Sequence, residues 1–290
     1  MVPYNPKNWF GLIFRFHKAE TFRKLLPVML SLGVYSFIIC YIEIEVFKLE
    51  YASTTTVHSL LGFIISLLLV FRTNTAYDRW WEGRKQWGAL VNVSRNLAFK
   101  VKNLLPKGSA RAFVLSEGAA YYATVLRDHL RSIDANEILK ELPEDLKNGD
   151  FTSGHVPNEV ANQMQAALGE AYAEHKISEA AYLAMMNDLN AFTDICGACE
   201  RIKKTPIPYT YNIFIKKFIF LYTVTMPFGF VTDFGYWSIL ITVFTLYALA
   251  SLEMIAEEIE DPFGFDSNDL PTDTLAETIY KNVKHISGTA

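Results

Sequence analysis

Three cysteines in 290 residues are too few for a disulfide framework: Cys40 stands alone in an apolar segment, and Cys196 and Cys199 form a CGAC pair. That pair has no partner pair and no histidine cluster beside it in sequence. It reads as structural rather than as a redox or half-zinc motif. The histidines are scattered (His17, His58, His129, His155, His175, His285), and none pairs with another at metal-ligand spacing. No GxSxG, Walker or GxGxxG arrangement is present, which leaves the common hydrolase and nucleotide sites without support. The formal net charge is only −4, so nothing suggests nucleic acid as a partner. No run alternates apolar and polar residues as a half-buried strand does, so the fold class expected is all-α. No basic segment followed by a short apolar core and a small-residue cleavage site opens the chain, so a secretory signal is not expected.

What the chain has is apolar length. Half of its residues (51%) are hydrophobic, 14% are aromatic, and the mean hydropathy is slightly positive. A mixture of membrane-embedded and water-exposed helical parts fits these values. Four spans are expected: Val28 to Phe47, the run beginning at Val57, Ile213 to Val231 with Pro227 near its end, and Tyr236 to Ile255. Before them, Met1 to Pro27 interleaves Trp9, Phe10 and Phe14 with Lys7, Arg15 and Lys18. That suits a segment at a membrane interface or the amphipathic start of a helix. Between the second and third spans, helices are expected over Ala110 to Arg131, Asn136 to Leu142, Pro157 to His175 and Ser178 to Lys203. Leu142 to Val156 is expected to be a loop.

The second span organises the rest. From Val57 to Phe71 only His58, Ser59 and Ser66 interrupt an apolar run of about 22 Å, against a hydrocarbon core of about 30 Å. Charges then recur at helical spacing from Arg72 to Lys85 with no proline to stop the helix, so one helix should leave the membrane and continue in water. Leu60, Ile64 and Leu68 share a face; a shift of one residue puts Ser59, Phe63 and Leu67 there instead. Lysine and arginine crowd the segments before the first span, after the second and before the third, whereas the two short loops carry only Lys48. Both termini and the middle region are therefore expected in the cytoplasm, with the spans in the inner (plasma) membrane. The divisions expected are 1–103, 104–211, 212–256 and 257–290: the first two spans with their extension, a helical cytosolic region, the last two spans, and an acidic tail.

Three blocks carry a family resemblance. FRTNTAYDRWWEGRKQWG, from Phe71 to Gly88, PIPYTY, from Pro206 to Tyr211, and EEIEDPFGFDSNDLP, from Glu257 to Pro271, stand in order beside the second, third and fourth spans. Together they resemble the signatures of bestrophin ion channels, especially the bacterial branch. The resemblance implies four membrane helices per subunit and a homopentamer in the lipid bilayer. It also implies a narrow hydrophobic neck on the axis through which small monovalent ions pass. Leu60, Ile64 and Leu68 are the neck residues expected, with Phe63 and Leu67 as the alternative phase. A second, cytosolic aperture falls near Ala180, where small residues make it wide or absent. Arg72, Asp78, Arg79, Trp80, Trp81 and Glu82 are expected to pack helices and subunits together, with Arg79 and Glu82 as neighbours one turn apart.

The resemblance favours chloride, as in animal members whose necks carry phenylalanines. Sodium or potassium is the alternative, because bacterial members with more aliphatic necks conduct cations. No cofactor is expected. Animal members clasp calcium in a run of acidic residues after PFG. Here Phe265, Ser267 and Asn268 break that run, which leaves Asp261, Asp266 and Asp269 to hold a weak ion or to cap the helix that follows. A reading from another class is a membrane-embedded enzyme using Glu43, Glu45, Asp233 or His58. Of these, His58 is the one worth testing as a titrating pore residue, against a buried or capping role. No convergent cluster of titratable groups supports catalysis, so an enzyme is not expected.

Overall fold

The computed structural model describes residues 20–48, 54–147 and 149–288. Nine α-helices follow one another in that range, and no strand occurs among the described residues. They are α1 (Glu20–Tyr41, extended by a π-helical stretch Ile42–Phe47), α2 (Thr55–Leu104), α3 (Ala110–Leu130), α4 (Ala135–Glu141) and α5 (Val156–Ala173). Then come α6 (Glu179–Lys204), α7 (Tyr209–Phe234), α8 (Trp237–Glu260) and α9 (Thr272–Ser287). Four of these stretches are long and apolar enough to cross a membrane: Thr21–Phe47, Thr55–Leu104, Tyr209–Phe234 and Trp237–Glu260. The interface residues expected at Lys7, Trp9, Phe10, Phe14, Arg15 and Lys18 lie outside the described residues.

By internal contacts the chain divides into two compact units. One comprises Val2–Arg79 and Pro206–Glu260, the other Trp80–Thr205 and Asp261–Ala290. In the first unit α1, the beginning of α2, α7 and α8 bury Leu32, Ile65, Leu69, Ile215, Ile219 and Leu246 against one another. Two prolines sit inside these helices, Pro27 in α1 and Pro227 in α7. Neither stops its helix: α7 continues to Phe234, and α1 already runs from Glu20 where a boundary after Pro27 was expected. A proline removes one ladder bond. Such breaks are tolerable in membrane helices because neighbouring side chains and helices satisfy the freed backbone groups.

The second unit has the larger core, built on Trp87, Leu90, Leu97, Leu115, Tyr122, Leu126, Met164, Leu168, Leu189 and Phe192. Tyr122 and Phe192 meet edge to face at 4.8 Å between ring centroids. A Cβ at Gly118 would collide with Met164, so that glycine is what lets α3 and α5 approach. Helix starts follow side-chain capping: Asp134 accepts from the Asn136 N–H, His155 from Asn158, and Ser178 from Ala181. Helix α9 takes the place of the helix expected to follow Asp269, within the stretch otherwise read as an acidic, polar tail. Its buried Ala276, Ile279, Val283 and Ile286 form a stripe at helical spacing that packs on this core.

Candidate functional site

Within the first unit, α2 has two faces. Residues His58, Ile65, Leu69, Arg72 and Ala76 are buried in the chain's own core. At about 100° per residue these positions cluster on one side, and Leu60 and Leu67 point directly away from them with Phe63 and Ile64 on either flank. Leu60 is 61% exposed, Phe63 67%, Leu67 46% and Ile64 39%. Leu68 has rotated towards the packed side and is half-buried. The face turned away from the core is thus unbroken, apolar and uncharged from Leu60 to Phe71.

Behind that face lies an ion knot. Arg72 is fully buried, with Nη2 2.7 Å from Glu260 Oε2 and Nε 3.4 Å from Glu253 Oε2. The other oxygen of Glu260, Oε1, accepts the Ile207 backbone N–H at 2.6 Å. The Glu260 carbonyl accepts from Arg79 Nε at 3.0 Å. Tyr211 OH, from the same block as Ile207, donates to the Leu68 carbonyl at 3.2 Å. Each sequence block therefore places a residue on this knot, and the charge pairing of Arg72 is internal to its own chain.

The remaining candidates are spread out. Asp78 is exposed, and Trp81 is 47% exposed. In the second unit, Glu82 pairs with Arg201 on α6, a partner that one-turn spacing does not reveal. Trp80 Nε1 donates to the Asn268 carbonyl at 3.0 Å. Ala180 is exposed in the first turn of α6. Of the three aspartates between α8 and α9, Asp261 and Asp266 are exposed while Asp269 is buried. Asp269 Oδ2 accepts the Asp266 N–H at 2.7 Å, which closes a tight loop. Burial, with Asp266 and Asp261 nearby, pushes the Asp269 carboxyl up to about 7.

Outside the ion knot, His58, Asp233 and Glu45 serve separate local contacts. His58 is buried between Tyr222 and Phe230, its Nδ1 beside Thr54 and its Nε2 3.4 Å from Thr225 Oγ1. A Cβ at Gly229 would overlap the imidazole, so that glycine makes room for it. Thr55 Oγ1 donates to Asp233, and Tyr236 OH lies 3.4 Å from Glu45 Oε1.

One cluster overturns an expectation. Histidines with no useful spacing in sequence are neighbours in the fold: His129 Nε2 lies 2.6 Å and His155 Nε2 2.8 Å from the same oxygen, Glu200 Oε1. Their ring centroids are 4.4 Å apart. Burial holds His129 below its usual value against the opposing pull of Glu200. Burial raises Glu200, but hydrogen bonds from both histidines and the nearby Lys204 charge prevail and leave it below the usual carboxylate range. The nearby Cys196 and Cys199 thiols are free and buried. Burial pushes Cys196 up to about 12 and Cys199 also upward, so neither ionises readily.

Four apolar spanning-length helices joined to a second all-helical unit define a polytopic helical membrane protein. The family model for the Bacterial/Fungal Bestrophin protein matches residues 1–285, and the chain belongs to the bestrophin family. It is 36% identical over 232 residues to a voltage-dependent anion channel-forming protein of Nostoc, covering 78% of this chain and 75% of that one. It is 32% identical over 288 residues to the Escherichia coli K12 voltage-dependent anion channel-forming protein YneE, covering 96% and 91%. Among solved structures, a bacterial bestrophin homolog from Klebsiella pneumoniae superposes with a TM-score of 0.83 at 28% identity, covering 91% of this chain and 99% of that one.

Proposed function

We propose that the chain is one subunit of a homopentameric channel that lets small monovalent anions, chloride foremost, cross the inner membrane passively. The observation that carries this reading is the outward face of α2. Leu60, Phe63, Ile64 and Leu67 form a continuous exposed apolar strip opposite a packed, charge-bearing face. Repeated around an axis, such a strip makes a neck without hydrogen-bond donors or carbonyls, which controls flow by width and wetting. The names of the curated relatives support anions, and the positive ring edges of Phe63 suit them. Orientation follows the placement of lysine and arginine, with both termini and the second unit in the cytoplasm and the spans in lipid.

Calcium plays no gating part in this reading. Asp269 turns inward to its own loop, and Phe265, Ser267 and Asn268 supply no carboxylate. Catalysis plays none either. The test is flux and reversal potential across liposomes containing only this protein. A chloride-following reversal potential under a salt gradient supports the reading; a cation-following one replaces anion by sodium or potassium; no flux refutes the channel.

A further inference from the structure

We propose that His129, His155 and Glu200 form a binding site for one divalent transition-metal ion of the zinc class, which would clamp three helical elements of the second unit. His129 comes from the last turn of α3, His155 from the cap of α5 and Glu200 from α6. These elements are far apart in sequence, yet one ligand atom from each lies within 4.8 Å of the other two. Two imidazole nitrogens and a carboxylate oxygen are a donor set that zinc takes, with bonds of about 2.0–2.2 Å and a fourth position left to water.

The present spacings of 2.6 and 2.8 Å are those of direct hydrogen bonds. Tetrahedral ligands at such bond lengths stand roughly 3.3 Å apart, so each imidazole needs to draw back from the carboxylate oxygen by only about 0.5–0.7 Å to admit an ion. The side chains are partly exposed, His129 at 21%, His155 at 26% and Glu200 at 19%, which gives an ion a way in and a water a place to bind. Lys204 Nζ stands 3.4 Å from Glu200 Oε2 and turns the other carboxylate oxygen towards the imidazoles, although its charge opposes a cation.

The competing arrangement is two imidazole N–H groups shared by one carboxylate oxygen. His155 Nδ1 accepts the Asn158 N–H at 3.2 Å, which places the His155 proton on Nε2 in the metal-free protein. Metal at Nε2 moves that proton to Nδ1 and gives up the cap, a loss of up to about 30-fold in affinity. Three coordination bonds outweigh that loss.

The experiment uses tag-free, chelator-stripped full-length protein in detergent, titrated with zinc ion alone against a chromophoric competitor. The expected result is one zinc per chain with a dissociation constant of about 1 μM or tighter. His129→Ala and Glu200→Gln should each weaken it by at least about 100-fold, while His175→Ala with His285→Ala leaves it unchanged. Where a variant fails to assemble, zinc-edge X-ray absorption on the reloaded wild type reads the shell directly. Nitrogen and oxygen neighbours at about 2.0–2.1 Å support the site. Sulfur at about 2.3 Å would assign the ion to Cys196 and Cys199 and overturn it. Binding weaker than about 100 μM, or unchanged in the variants, would overturn it as well.

Discussion

The buried knot at Glu260 makes a graded prediction. Glu260→Ala removes the closer anion from Arg72, leaving Glu253 at 3.4 Å, and takes away the acceptor of the Ile207 N–H. Breaking a buried ion pair from one side costs about 3–5 kcal/mol, and an orphaned buried N–H adds about 1–3 kcal/mol. Glu260→Gln loses the charge but keeps an amide oxygen able to accept from Ile207, so it should fall short of Glu260→Ala by about 1–3 kcal/mol. Arg72→Ala leaves Glu253 and Glu260 buried together without a cation and should be at least as damaging as Glu260→Ala. With roughly 2–4 °C of melting temperature per kcal/mol for a chain of this size, Glu260→Ala should melt about 8–30 °C lower and Glu260→Gln about 6–20 °C lower, the alanine variant always the lower of the two. Thermal melting of the detergent-purified protein, followed by size exclusion of the oligomer, reads the series. If Glu260→Gln matched Glu260→Ala, the bond to Ile207 would contribute nothing. If Arg72→Ala were the mildest, the ion knot itself would be refuted.

Other measurements address the remaining surfaces. Ile64→Ala should enlarge single-channel conductance with little change in ion preference, and Ile64→Phe should reduce conductance and shift preference towards anions. If Phe63→Ala enlarges conductance and Ile64→Ala does nothing, the other flank of α2 faces the axis. Micromolar calcium should leave current unchanged in wild type and in Asp266→Ala; a large reversible rise, lost in the variant, would contradict the calcium-independent reading. Asp273 is held below the usual carboxylate range by its hydrogen bonds to Arg131, burial opposing and the Arg131 and Arg127 charges assisting. A depressed folded value gives stability that is present above the ordinary aspartate range and is lost as pH falls through the folded value. The Asp273 side chain is 62% exposed, so Asp273→Asn should cost at most about 1 kcal/mol at neutral pH. That deficit should shrink as the pH of the melts is taken below the ordinary aspartate range and through the lower folded value; a deficit that does not change with pH would show that charge is not its source.

The membrane helices were legible because a long apolar run needs no periodicity to be read. The four helices expected between the second and third spans fell within a residue or two of the observed limits. What sequence reading missed was tertiary. Pro27 looked like a boundary because proline is a breaker in water, yet α1 carries it inside. A helix was expected after Asp269, but its polar composition masked the Ala276, Ile279, Val283, Ile286 stripe that packs α9 on the core, which was there to be counted. Arg79 and Glu82 were expected as neighbours one turn apart, whereas Glu82 pairs with Arg201, and Arg72 with Glu253 and Glu260, more than a hundred residues further along. The His129, His155 and Glu200 cluster had no signal at all in spacing, because each residue sits on a different element.

The three signature blocks are conspicuous in sequence for the same reason that they meet in the fold. A charge placed in an apolar helical core must be compensated on all sides, so Arg72 brings Glu253 and Glu260 with it. Glu260 in turn fixes the Ile207 amide and the Arg79 guanidinium. That requirement spells out distinctive residues at defined positions. The proposed neck obeys the opposite rule: an aliphatic side chain facing lipid, a neighbouring subunit or a file of ions has the same composition in each case. Legibility therefore tracks chemical demand rather than closeness to the ion path. Substitutions in the conspicuous motif should act first on assembly, while those on the inconspicuous strip of Leu60, Phe63, Ile64 and Leu67 should act first on flux.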